Sequence, residues 1–86
     1  MRMIVCCVFD AAVNAYLPPF FVRSRGEAVR AFQKECANAQ SPFHQHPGDF
    51  RLCVLGVWDD GNALFVDCGL PEPLMSARDA VPSVPE

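Results

Sequence analysis

The chain lacks most of the signatures that assign a chemistry at sight. No apolar run approaches the roughly 20 residues that cross a bilayer, so no membrane partner is expected. The apolar stretch from Met3 to Phe9 is interrupted by Asp10, is too short for the core and flanks of a signal peptide, and has no A-x-A-type site behind it. A cytosolic protein is expected. The cysteines, Cys6, Cys7, Cys36, Cys53 and Cys68, are odd in number and no two are separated by two residues. That pattern suits neither a disulfide framework nor the closely paired ligands of a zinc site. All but Cys68 lie within apolar runs, as small buried hydrophobes of a reducing compartment do. There is no glycine-rich phosphate loop, no internal repeat is legible, and no cofactor is implied.

The parts of a catalytic site are missing too. Nucleophilic catalysis needs a nucleophile beside a base, and acid–base catalysis needs paired groups in a pocket. Cys36 with a histidine is the one conceivable pair, and Cys36 falls on an apolar stripe. Asp59 and Asp60 sit in a turn, where acidic residues are common. His44 and His46 with Asp49 offer a metal set without a further nearby ligand; the plainer reading of His46-Pro47-Gly48-Asp49 is a turn in which Asp49 accepts backbone hydrogen bonds. A non-enzymatic protein is expected.

What is present describes a small folded domain. In 86 residues, 51% are hydrophobic and 20% charged, which is a globular composition. The net charge of −3 excludes a strongly basic nucleic-acid binder, but it is unevenly spread. Residues 1–40 hold five basic and three acidic side chains, and residues 41–86 hold two basic and seven acidic. Arg23, Arg25, Arg30 and Lys34 fall in one short segment.

Met1 to Asp10 reads as a strand, with Met3, Val5, Cys7 and Phe9 on one face and Ile4, Cys6 and Val8 on the other. Ala11 to Leu17 is either a helical turn or a loop. After Pro18-Pro19, which cannot donate ladder bonds, Phe20 to Arg23 is at best a short edge strand. Ser24 with Glu27 forms a capping box for a helix to about Ala39, whose stripe is Ala28, Val29, Phe32 and Cys36. Gln40 to Phe50 reads as a loop, Arg51 to Trp58 as a strand, and Ala63 to Asp67 as its hairpin partner. The turn between them, Asp59-Asp60-Gly61-Asn62, calls for Gly or Asn at positive φ.

The expected fold is therefore α+β: a small antiparallel sheet of three to four strands with one amphipathic helix packed on one face. Residues 1–69 form this single domain. Residues 70–86 form a Pro-rich, acidic, extended tail, with a helical turn near Leu74 to Ala80. One helix covers one face only, yet two strands are apolar on both. The second face must meet the tail, the Ala11 to Phe21 segment or another subunit. Self-association is the expectation, since an exposed apolar face of that size marks an interface.

A series of short segments carries a family resemblance. Phe9-Asp10 is followed by Tyr16-Leu17-Pro18-Pro19-Phe20-Phe21, then by Ala28-Val29-Arg30-Ala31-Phe32. Ser41-Pro42-Phe43 and His46-Pro47-Gly48-Asp49-Phe50 come next, then Leu55-Gly56-Val57-Trp58-Asp59-Asp60. In order and spacing these residues resemble the small nonstructural protein of gokushovirus-type microviruses, bacteriophages with single-stranded DNA genomes; Cys6-Cys7 departs from the pattern. The resemblance covers about two-thirds of the chain. It implies a nonstructural, DNA-binding protein of the infected bacterium's cytoplasm, acting in viral DNA replication or packaging with viral or host replication proteins.

The residues themselves support a matching candidate site. Arg23, Arg25, Arg30 and Lys34 could hold the phosphates of single-stranded DNA, with Arg30 central, and Phe20 and Phe21 could stack on its bases. The plain alternative is a solvated helix face with Arg30 paired to Glu27, and phenylalanines packed into a core or interface. The rival function is a protein-interaction or assembly module with no nucleic-acid contact.

Overall fold

The structure, a computed structural model, describes residues 1–80. Two long strands run antiparallel at its centre: β1 (Arg2–Asp10) and β4 (Phe50–Asp59), paired along their whole length. Each returns on its outer side as two short strands. β2 (Ala15–Tyr16) and β3 (Phe20–Val22) share the free side of β1, while β5 (Leu64–Val66) and β6 (Glu72–Ser76) share the free side of β4. The interruptions fall where Pro18-Pro19 and Pro71 remove ladder donors. The helices are α1 (Arg25–Ala37), α2 (Pro42–Gln45) and α3 (Ala77–Ala80), with a 3₁₀ turn over Pro47–Asp49.

This corrects the expected architecture. The sheet has six strands rather than three or four, and the described residues carry three α-helices rather than one. The reason is local. Ala15–Tyr16 is too short to show a period, yet it pairs with Phe9 and Asp10. Glu72–Ser76 contains Pro73 but occupies an outer lane, where a missing donor is tolerated. Of the segment near Leu74 to Ala80, where a helical turn is expected, only Ala77–Ala80 is helical, as α3, while Leu74 to Ser76 belong to β6; the expected tail's last residues, 81–86, lie outside the described residues.

The core lies between the sheet and α1. Ala28, Phe32 and Cys36 of α1 are buried against Cys6, Val8, Val22, Phe50, Leu52 and Val54, with Ala77 of α3 closing one end. Phe32, Phe43 and Phe50 form a chain of rings 5.5 and 4.6 Å apart. Ser24 caps α1 as the sequence predicts, its Oγ accepting the Glu27 N–H at 3.1 Å. The Glu27 carboxylate accepts the N–H of Arg23 at 3.4 Å. Ser41 and Ser76 cap α2 and α3 in the same way, accepting the N–H of Phe43 at 3.1 Å and of Asp79 at 3.2 Å.

The two halves of the chain repeat one plan, which the sequence reading did not detect. Each is a long strand, a tight turn, a return strand broken at proline, and a Ser-capped helix on the same face. The turns are equivalent in detail. Asp10 accepts the N–H of Ala12 and Asp59 accepts the N–H of Gly61, both at 3.0 Å. Four residues beyond each aspartate the backbone is left-handed: Asn14 at φ 53° and Ala63 at φ 56°. The positive φ expected of Gly61 or Asn62 thus falls on Ala63. Alanine pays about 1 kcal/mol there, which glycine avoids. Ala63→Gly is expected to raise stability by about 0.5–1 kcal/mol, or about 2–8 °C in thermal midpoint. An unchanged or lower midpoint would contradict the turn geometry.

Candidate nucleic-acid interface

Among the described residues the α-helices lie on one side of the sheet, and none of them covers the other side. Alternation along β1 puts Met3, Val5, Cys7 and Phe9 there, and the β4 residues opposite them are Arg51, Cys53 and, beyond a bulge at Leu55 that shifts the alternation by one, Gly56 and Trp58. Val5, Cys7 and Cys53 are buried in the middle, whereas aromatic rings crowd the two ends. At one end Phe9 faces Tyr16 across β1 and β2 with ring centroids 4.8 Å apart, and the Arg51 guanidinium lies over Phe9 at 5.1 Å. At the other end Trp58 faces Phe65 across β4 and β5, again 4.8 Å apart. Phe21 joins this second group, 6.3 Å from Trp58 and 6.5 Å from Phe65. Phe65, Tyr16 and Phe21 are 58%, 51% and 42% exposed, a large solvated area for rings in a small domain. Val5, Pro19, Phe21, Leu55, Phe65 and Cys68 line an apolar hollow of about 400 Å³ beside them.

The charges sort between the faces. Asp67 and Glu72 line a cleft on the helix side together with Ile4 and Arg25, and Arg25 pairs with Glu72 at 3.1 Å. That ion pair ties the start of α1 to β6. β3 ends at Val22, and the chain bends through Arg23 and Ser24 into α1, with the Arg23 N–H held by the Glu27 carboxylate. Arg51, over Phe9, is a cation of the aromatic face.

The residues singled out from the sequence are divided accordingly. Phe21 lies on the aromatic face, and Arg23 is exposed in the bend that follows β3. Phe20, one position on, points the other way and packs against the core beneath α1, beside Ala31 and Phe43. Arg25 sits on the sheet-facing side of α1 and is engaged by Glu72. Arg30 and Lys34 are exposed one turn apart on the solvent side of α1, and among the described residues neither joins an ion pair, Glu27 included. Tyr16, Arg51 and Phe65 were missed. The signal for them was indirect: alternation puts Phe9 on the second face but sets Trp58 with Leu52 and Val54, and only the bulge at Leu55 turns Trp58 to the second face; the rings' neighbours need the strand register.

Other chemistry is held in place by packing. Burial pushes the thiols of Cys6 and Cys36 up to about 11, and those of Cys7 and Cys53 upward as well, so all four stay protonated near neutrality. His44 Nδ1 lies 2.9 Å from the carbonyl oxygen of Cys36 and fastens α2 to the end of α1. Among the described residues no group of three or more His, Cys, Asp or Glu is placed to hold a metal ion.

Residues 3–80 match the family described as phage ORF5 protein. The chain belongs to that family. It is therefore a bacteriophage protein, and the match takes in both central strands, all six strands of the sheet and the aromatic face. No curated protein and no solved structure matches it significantly.

Proposed function

We propose that this phage protein is a non-enzymatic accessory factor that binds single-stranded DNA, as the nonstructural protein of a gokushovirus-type microvirus would during genome synthesis or packaging in the host cytoplasm. The observation that carries the reading is the aromatic face: exposed rings in two groups, one of them under Arg51, on a side from which Asp67 and Glu72 are turned away. Every base offers a π-face, so such a surface accepts unpaired bases without reading their sequence, while arginines meet the phosphates. A duplex keeps its bases stacked inward and cannot use the rings. On this reading the contact is made by Phe21 and Arg51 rather than by the helix surface of Arg30 and Lys34.

The test is fluorescence anisotropy with a labelled oligothymidylate at low and physiological salt, with a duplex competitor. Salt-sensitive binding is expected, weakened roughly 5- to 150-fold by Phe21→Ala and little changed by the duplex. Arg51→Ala should also flatten the salt dependence, by slightly under one unit of slope, while Arg30→Ala should do neither. Loss of binding in Arg30→Ala but not in Phe21→Ala would move the site to α1, and absence of binding at either salt would remove the reading.

A second reading rests on the same exposed rings. Prolines interrupt both outer lanes and discourage edge-to-edge pairing, so two copies would meet through this face. Trp58, the single tryptophan, reports on it. Emission that shifts to the blue as protein concentration rises without DNA, with a doubled mass by light scattering, would favour assembly.

A further inference from the structure

The repeated plan of the two halves reaches the aromatic face. The offset that carries Asp10 onto Asp59 and Asn14 onto Ala63 also carries Phe9 onto Trp58 and Tyr16 onto Phe65. These are the cross-strand pairs Phe9–Tyr16 and Trp58–Phe65, each with ring centroids 4.8 Å apart and interplanar angles of 50° and 52°. Each ends a hairpin, and the Arg51 guanidinium lies over Phe9 of the first. Phe21 is the one ring without a counterpart. Because β1 and β4 are antiparallel, the pairs stand at opposite ends of the sheet, six residues apart along β1 from Phe9 to Met3, about 20 Å at strand rise.

The geometry points to two equivalent stacking half-sites for unpaired bases, built by internal pseudo-symmetry, which one strand occupies together when it is long enough to reach both. The inference rests on the single-strand reading above and adds its stoichiometry. A short oligonucleotide engages either pair alone. A longer one engages both, the second contact being intramolecular once the first is made, so affinity rises in a step with length rather than smoothly. Between the pairs the strand passes Val5, Cys7 and Cys53, already buried, and the hollow beside Phe21.

Intact protein would be titrated with oligothymidylates from about 4 to about 16 nucleotides, the range of known single-strand site sizes, following anisotropy and Trp58 emission together. Tyr16→Ala and Phe65→Ala are suitable variants, since both rings are exposed; urea unfolding would establish that each still folds. On long oligonucleotides each substitution is expected to cost roughly 5- to 150-fold and to abolish the length step. On the shortest, each costs about twofold, because one of two equal sites remains. Quenching of Trp58 by short oligonucleotides should persist in Tyr16→Ala. A smooth rise with length, or long-strand affinity untouched by Tyr16→Ala, would overturn the two-site arrangement and leave single-strand binding standing. Absence of binding at any length in low salt would overturn both.

Discussion

Phe32→Ala is expected to remove about 3–5 kcal/mol of stability, a large share of what a domain of this size possesses. Phe32 is 3% exposed and joins α1 to two other elements, through Phe43 of α2 at 5.5 Å and the sheet residues of the shared core. No other buried residue of α1 approaches its volume: Ala28 and Cys36 complete the stripe with small side chains. Truncation would leave a cavity bordered by Phe20, Ala31 and Phe43, a region already hollowed by about 250 Å³ of open space. The surroundings are thus partly open before the ring is removed. Urea unfolding followed through Trp58, which lies on the far face, would measure the loss, with Phe32→Leu as a variant that keeps most of the volume. A loss below about 1 kcal/mol for the alanine variant would mean that α1 is not held by this stripe.

Gly56→Ala carries the second large effect, from the opposite cause. Gly56 follows the bulge that Leu55 makes in β4, where the pairing with β1 slips between Val5 and Cys6. A methyl group there would meet the thiol of Cys68 and, more seriously, the Val66 carbonyl oxygen at 2.9 Å and the Cys68 Cα at 3.0 Å. The thiol can swing away; the backbone of the neighbouring lane cannot without breaking β4–β5 pairing. A loss of about 1–3 kcal/mol is expected. Gly48→Ala makes an informative companion, since the nearest atoms its methyl group would meet all belong to the flexible guanidinium of Arg78, and it should cost less. The double variant Gly56→Ala/Cys68→Ala separates the two contacts. If it recovers the full stability, the thiol alone was the obstacle; recovery of a small part is the expected result.

The consequences of these two substitutions for the aromatic face differ. Phe32 lies behind the sheet, so Phe32→Ala lowers stability without moving the rings. Gly56 sits beside Val57 and Trp58, which pair with Val66 and Phe65, so Gly56→Ala disturbs the half-site at that end directly. Among molecules that remain folded, single-strand affinity should survive the first change better than the second.

Local features of this protein were legible in its sequence. The helix stripe Ala28, Val29, Phe32 and Cys36 shows its period because one face of α1 is buried and the other solvated, and Ser24 announces its start through a hydrogen bond only three residues long. The two central strands show themselves as β-branched and aromatic runs apolar on both sides. That same double-sidedness raised the question of the uncovered face.

What lay beyond reach was whatever depends on register and on distant pairing. The lanes formed by Ala15–Tyr16 and by Glu72–Ser76 are too short or too proline-rich to carry a period of their own, and exist because a long strand offers them an edge. The candidate segment divides because consecutive positions in a strand and around a helix point in different directions: Phe21 to one face, Phe20 to the other, Arg25 inward to Glu72, Arg30 and Lys34 outward. The pairing of Phe9 with Tyr16 and of Trp58 with Phe65, and the equivalence of the two halves, emerged only when the strands were side by side. Composition and periodicity are properties of neighbours along the chain, and they determined the helix and the central strands. Which rings and which arginines share a surface is a property of neighbours in space, and the tertiary structure alone decided it.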